Sequence, residues 1–330
     1  MKRHGDLFDA CFSLESLHDA YLVARKGKRG KRSCFEFERR LGSHLAALHE
    51  ELHSETYTPQ PYYTFQVFKP KPRLIHAPAF RDVVVQHAIY RQTYPIFDKA
   101  FIDTSFACRV GKGTHRCADY IQRAMRQYDG DRCTVHLDVR KFFYSIDHTI
   151  LTALRERKIK DRRLQRLLPM FAGDGEIGIP IGNLLCQLDA LIYLNPVDHF
   201  IKRDLKVRHY ARYVDDMLLI GLTRDEANQA KQAIKAFLRD KLRLGLSKAV
   251  TRPIRQGVNF VGYRTWRSKR FVRRHSLHRF GCALRASRIA SLNSLMGHAL
   301  RTSTHRHYCR RIRAERPDLI PFLPLYEAAT

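Results

Sequence analysis

Residues 210–221 read YARYVDDMLLIG, so two neighbouring carboxylates, Asp215 and Asp216, sit inside an otherwise apolar and aromatic run. Apolar runs fold inward. Carrying one unpartnered charge inward is costly, and a like charge beside it raises the cost unless something strongly positive lies between them. Two arrangements meet that constraint. The pair can stand at a hairpin turn, where Asp is common and water solvates it, or it can join a further acid around a bound metal ion. The chain offers such an acid. In CTVHLDVRKFFYSIDH, Val135, Leu137 and Val139 alternate with His136 and Asp138, which places Asp138 near the end of a predicted strand, on the face away from the apolar one. An Asp ending one strand and an Asp pair at a neighbouring hairpin can hold two divalent ions about 3.5–4 Å apart, the spacing of in-line phosphoryl chemistry. Oxygen donors of this kind select Mg²⁺, with Mn²⁺ as a substitute.

The charge balance names the class of partner. Lys and Arg number 60 against 32 Asp and Glu, a net charge of +28, and an excess that large points to a polyanion, either nucleic acid or an acidic membrane surface. The apolar runs favour nucleic acid. The longest, IGIPIGNLLCQLDALIYL from Ile177, is broken by Gly178, Pro180, Gly182, Asn183 and Asp189, and reads as a turn followed by a buried helix rather than a membrane span. The start, MKRHGDLFDACF, lacks a signal-type apolar stretch, so a cytoplasmic, membrane-free placement is expected. Eight cysteines without a C-x-x-C pair argue against both a zinc knuckle and a disulfide framework.

The chain has no internal repeat. Its first sixty residues read as helices around a basic loop, RKGKRGKR at 25–32. Strands are predicted at 62–68, 133–139, through the Asp-Asp stretch, and in VNFVGYRTW at 258–266. A helix after Thr223 carries a capping box with Glu226, a stripe of Ala230, Ile234, Phe237 and Leu238, and a stop at Gly245. From Arg267 the chain turns basic and helical. Strand, helix, hairpin, helix, strand gives an α+β sheet domain with helical parts around it.

At this point four segments acquire a common meaning. LDVRKFFYSIDH, GIPIGNLLCQ, YARYVDD and NFVGYR, in that order, resemble the successive palm motifs of reverse transcriptases, and KPKPRLIHAP, FRDVVVQHAI and SFACRVGKGTH resemble the fingers motifs of the bacterial members. The resemblance implies an α+β right-hand polymerase with helical fingers, an antiparallel-sheet palm and a small helical thumb. It divides the chain into N-terminal helices and fingers at 1–132, palm at 133–266 with a fingers-side helical insertion at about 149–176, and a basic helical thumb and tail at 267–330. Group II intron and retron enzymes usually carry Pro-Gln-Gly before the helix of the second palm motif. Here the turn is Pro180-Ile181-Gly182, with Gln187 five residues after Gly182. That pattern is similar to the reverse transcriptases of diversity-generating retroelements, except that Cys186 stands where those have Ser.

The same resemblance implies roles. Asp138 and Asp215 would ligate both metals and Asp216 would be the weaker ligand. Lys71 and Arg73 would grip the triphosphate, with backbone amides from Val139 to Phe142 beside it and Ile181, Gly182 and Gln187 in the nucleotide pocket. Phe143, five residues beyond Asp138, would test the sugar and reject a 2′-hydroxyl, so the product would be DNA. Residues 142 and 143, as strand neighbours, would face opposite ways. Lys248 would protonate departing pyrophosphate, and Phe260, Gly262 and Tyr263 would form the primer grip. Arg81 and Arg109 either contact phosphate or brace the fingers. The expected function is error-prone copying of a template-repeat RNA into cDNA in a bacterial cell. Its partners would be template RNA, the RNA/cDNA duplex, dNTPs and an accessory variability-determinant oligomer. The alternative is an antiphage-defence or retron-type reverse transcriptase, and an idle RNA-binding scaffold would share the charge without needing three acids and a sugar gate.

Overall fold

Thr223 and Glu226 close their capping box as predicted, and so open the helix Arg224–Leu242. The Thr223 amide donates to Glu226 Oε2 at 2.7 Å and the Glu226 amide to Thr223 Oγ1 at 3.2 Å. The structure is a computed structural model that describes residues 3–68 and 72–323. The chain forms two compact units, each assembled from separated stretches. One comprises Met1–Asp103, Val139–Asp204 and Ala233–Ser247; the other comprises Thr104–Asp138, Leu205–Gln232 and Lys248–Thr330. The predicted fingers, palm and thumb are consecutive in sequence, whereas these units interleave.

In the first unit the predicted N-terminal helices are Leu7–Phe12, Leu14–Ala24, Arg32–Arg39 and Leu41–His53. Strands β1 (Tyr63–Val67) and β2 (Arg73–Ala77) pair antiparallel, Tyr63 opposite Ala77 and Val67 opposite Arg73. The long helix Phe80–Asp98 packs against Leu14–Ala24 and against Leu184–His199. Asn183 caps the latter helix, accepting the Leu185 amide at 2.9 Å. Most of its turns are buried, which explains why its sequence is apolar nearly all round. Asp189, which in sequence only interrupts that run, is held inside the unit by Arg155. The guanidinium Nε donates to Oδ1 at 2.9 Å and the terminal nitrogen to Oδ2 at 2.6 Å, with both side chains 5% exposed.

The second unit holds two sheets. Strands β3 (Cys133–Val139), β4 (His209–Tyr213), β5 (Asp216–Leu222) and β6 (Leu246–Pro253) stand in the order β4-β5-β3-β6. Strands β7 (Val258–Phe260), β8 (Tyr263–Thr265) and β9 (Arg270–Val272) form an antiparallel meander. The single strand predicted over 258–266 is thus two strands, split by a turn in which Val261 (φ 42°) and Gly262 (φ 89°) are both left-handed, as a two-residue hairpin requires. One apolar cluster joins Leu218, Ile220, Ile254, Val258 and Phe260 to the helix Thr114–Arg126. A second gathers the basic tail's helices Arg274–Arg285, Ile289–Ala299 and Thr304–Glu315, with Phe280 stacked on Tyr308 at 3.7 Å. Among the described residues no helix is long and apolar enough to cross a membrane.

Candidate active site

Strand β3 alternates as its sequence requires: Val135, Leu137 and Val139 are buried, while His136 and Asp138 are partly exposed. Its antiparallel register with β5 sets Asp138 directly opposite Asp216. Directly opposite residues project from the same face, and His136, two positions before Asp138, shares it. Asp215 lies in the two-residue turn between β4 and β5, after Val214, a β-branched residue at φ 56°. One acid of the pair is therefore in the turn, and the other heads a strand and faces a third acid.

A contact between side chains far apart in sequence organises this edge. His136 Nε2 lies 2.9 Å from Asp216 Oδ1, and His136 Nδ1 lies 2.9 Å from Lys248 Nζ. An ammonium group only donates, so Nδ1 accepts from Lys248 and Nε2–H donates to the carboxylate. The imidazole is 13% exposed, and the ring of Phe260 packs edge-on against it at 5.4 Å. Sequence reading paired His136 with Asp138 on one face but gave it no role; the alternation was the signal available.

The acids suit a hard divalent cation in donor chemistry, and like charges placed directly opposite repel unless positive charge intervenes. They are not drawn together into a coordination shell. Among the described residues no three His, Cys, Asp or Glu side chains are gathered closely enough to hold an ion.

The primer-grip expectation is narrowed. Phe260 and Tyr263 are 2% and 0% exposed, so their rings are core, while the Val261–Gly262 turn between them is partly exposed. A Cβ on Gly262 would lie 2.9 Å from His298 Cε1, which fixes glycine there. The Tyr263 hydroxyl donates to the His298 carbonyl at 2.9 Å and lies 3.3 Å from His115 Nδ1. Burial pushes this phenol up to about 12 and lowers both imidazoles.

The remaining predicted residues, Arg109 apart, belong to the first unit. Gly182 has φ 120°, and a Cβ there would stand 2.9 Å from both the His76 carbonyl and Ile75 Cγ2. The His76 amide donates to the Ile181 carbonyl at 2.7 Å, so this turn is fastened to β2 by its backbone while the Ile181 side chain stays half-buried. Asn183, which sequence reading missed, donates to Tyr62 Oη at 2.9 Å and to the Phe171 carbonyl at 3.1 Å. Cys186 is buried and its thiol reaches the same carbonyl at 3.5 Å, a bond that a Ser there would make more strongly. Gln187 is exposed.

The expected row of amides from Val139 to Phe142 is corrected at one position, because the Arg140 amide already donates to the Gly245 carbonyl at 2.8 Å. Phe142 is buried and Phe143 half-exposed, but the cause is a 3₁₀ turn over Phe142–Ser145 rather than strand alternation. Arg73 is exposed at the head of β2; Lys71 lies outside the described residues. Arg81 braces, pairing with Glu51 beside the Tyr57 ring, and Arg109 donates to the Ser105 carbonyl at 3.1 Å.

Residues 66–265 match a family model described as reverse transcriptase (RNA-dependent DNA polymerase). Group II intron-encoded protein LtrA of Lactococcus lactis subsp. cremoris is 24% identical over 291 residues, covering 65% of this chain and 48% of LtrA. The chain thus spans about half the length of that relative. Protein YkfC of Escherichia coli (strain K12) is 24% identical over 278 residues, covering 70% of this chain and 73% of YkfC. Among solved structures, telomerase from Candida albicans in complex with a TWJ fragment of telomeric RNA shares the fold. Its TM-score is 0.50 at 10% identity, over 82% of this chain and 56% of that one.

Proposed function

Because the chain belongs to the reverse transcriptase (RNA-dependent DNA polymerase) family, we propose that it extends a primer 3′ end with dNTPs along an RNA template. The observation that carries this reading is Asp138 opposite Asp216 on one sheet face, with Asp215 in the adjoining turn. In this reading residues 1–132 act as fingers, 133–266 as palm with the insertion at about 149–176, and 267–330 as thumb. Two Mg²⁺ ions, or Mn²⁺, held by Asp138, Asp215 and more weakly Asp216 would supply the charge that acidifies a 3′-hydroxyl and neutralises a triphosphate. The chain's own groups do the rest. Lys71 and Arg73 bind phosphate oxygens, the Val261–Gly262 backbone steadies the primer end, and Lys248, whose ammonium rests on His136, protonates departing pyrophosphate. Template RNA and RNA/cDNA duplex are held by the basic surface through their phosphates.

Phe143 excludes the 2′-hydroxyl. Trimming it to Ala is expected to raise rNTP incorporation relative to dNTP by about 10-fold or more, on the scale at which shape contacts discriminate. Single-nucleotide extension with each substrate measures it, and an unchanged ratio would return Phe143 to core packing.

Within the family, the aliphatic Ile181 favours the diversity-generating class, which would act with an accessory variability-determinant oligomer on a template-repeat RNA. A Gln at this turn rewards correct geometry by hydrogen bonding, because a mispair leaves buried polar groups unpaired; an aliphatic side chain only fills space. Ile181→Gln is therefore expected to lower misincorporation, most of all opposite template adenine, with a modest loss of synthesis. Sequencing of cDNA from both forms tests this. A wild type that copies adenine as faithfully as the other bases would favour the antiphage-defence or retron-type alternative.

A further inference from the structure

Behind the primer-grip turn, at the opposite end of the β7-β8-β9 meander, Trp266 faces an open cleft of about 550 Å³ lined by Arg126, Ile254, Arg255, Trp266, Arg267 and Ser268. That lining holds three arginines, one indole and no acid, with Ile254 and Ser268 completing it. The residues come from three places: the last turn of the helix Thr114–Arg126, the short turn Ile254–Gln256, and the loop between β8 and β9. We infer that this cleft is a second nucleic-acid site, which takes an unpaired nucleotide of a single strand with its base against Trp266 and its flanking phosphates against Arg126, Arg255 and Arg267.

The loop is built to hold the indole still. The Trp266 amide donates to the Lys269 carbonyl at 2.8 Å, Gln122 Nε2 donates to the Trp266 carbonyl at 3.1 Å, and Arg126 Nε donates to the Arg267 carbonyl at 2.9 Å. Gly257, at φ 68°, lets the backbone run along the ring, since a Cβ there would stand 2.8 Å from the indole Nε1. A ring fixed in this way offers contact area with little ordering cost on binding.

The charge around it is concentrated on one sign. Arg264 Cζ lies 4.9 Å from the indole centroid and Lys269 Nζ 6.0 Å. Burial, and after it the neighbouring Arg252, push the Arg264 pKa down, as expected where positive charge is crowded. Arg126 alone is accounted for by its place at a helix C-terminus, and the Arg264–Trp266 stack by packing; neither accounts for Arg255 and Arg267 on the rim. Arg255 pairs with Asp131, but that pair is exposed, with side chains 65% and 85% accessible, and exposed pairs of this kind exchange readily for a stronger anion.

An indole beside arginines suits nucleic acid because every base has a π-face and every linkage a phosphate. It suits an unpaired strand because in a duplex the base faces are already stacked. The cleft is distinct from the primer-grip turn. Three residues of β8 separate them, about 10 Å of extended chain. The choice of nucleic acid as ligand rests on the polymerase reading, but the site and its assay do not require polymerisation.

Trp266 is the chain's single tryptophan, so tryptophan emission of the full chain, excited beyond the tyrosine absorption, reports on this cleft. Without dNTPs, a short unstructured RNA, the DNA of the same sequence and a blunt RNA duplex are each titrated at several salt concentrations. Either single strand is expected to quench the emission saturably, the tighter one identifying the source, and the duplex about 10-fold more weakly or worse. Arg255→Gln with Arg267→Gln keeps the probe and is expected to raise the apparent Kd about 10-fold. It should also flatten the salt slope by about 1.4, roughly 0.7 for each arginine–phosphate pairing removed from a single strand. Primer extension on a short template should be unchanged in that variant. The site is refuted if strands that bind by anisotropy leave the emission unaltered, if the duplex quenches as well as the single strands, or if the double variant titrates like the wild type. Quenching without extension would overturn the polymerase reading and leave the cleft standing; extension without quenching would do the reverse.

Discussion

Asp138→Asn and Asp215→Asn are each expected to reduce primer extension by on the order of 10³-fold or more, with Mg²⁺ or with Mn²⁺, while RNA affinity should stay within a few-fold of wild type. The size follows from the several kcal/mol of charge stabilisation that a metal ion contributes, each 1.36 kcal/mol being tenfold in rate. The selectivity follows from geometry. Asp138 faces Asp216 across β3 and β5, so its replacement leaves the sheet's apolar face untouched. Asp216→Asn loses less activity, because one oxygen of that carboxylate is already engaged by His136 at 2.9 Å. Extension retained within a few-fold in the first two variants would remove the two-metal assignment.

Arg155→Ala or Asp189→Ala is expected to destabilise the protein by about 3–5 kcal/mol, the penalty for leaving one buried charge of a pair without its partner. The pair is bidentate and 5% exposed on both sides. Asp189 sits on the helix that Asn183 caps, directly after the Ile181–Gly182 turn, so loosening this helix should also lower the temperature at which activity is lost. Urea unfolding followed by circular dichroism measures the change. Replacing both partners together, Arg155→Met with Asp189→Leu, should recover most of it, since a packed apolar pair needs no charge compensation. Single variants within about 1 kcal/mol of wild type would mean that water reaches the pair.

The fold and the acids were legible in sequence wherever a local rule was strong. Strand β3 reads from period-two alternation, the helix after Thr223 from its capping box, and the acids from charge set within apolar strands. Other features follow from no local rule. β2 and β6 are largely exposed, so no apolar alternation marks them. The hydrogen bonds of His136 span 80 residues to Asp216 and 112 to Lys248, and only the folded register brings them together. Asp189 read as a mere interruption because its partner lies 34 residues away. Phe142 and Phe143 were assigned opposite environments correctly for a wrong reason, the 3₁₀ turn doing what strand alternation was expected to do.

The interleaving of the two units governs how the chain can be made. The first unit lacks its last stretch until Ser247 has been added, and the second needs segments on both sides of that point. During synthesis at about 5–20 residues per second, the N-terminal helices wait on the order of ten seconds after Asp103 emerges before the last stretch of their unit exists. Through part of that interval the face of the helix Phe80–Asp98 that packs against Leu184–His199 lacks its cover, which is when a holdase is most useful to a nascent chain. A ribosome that stalls before Ser247 releases a product in which neither unit is complete.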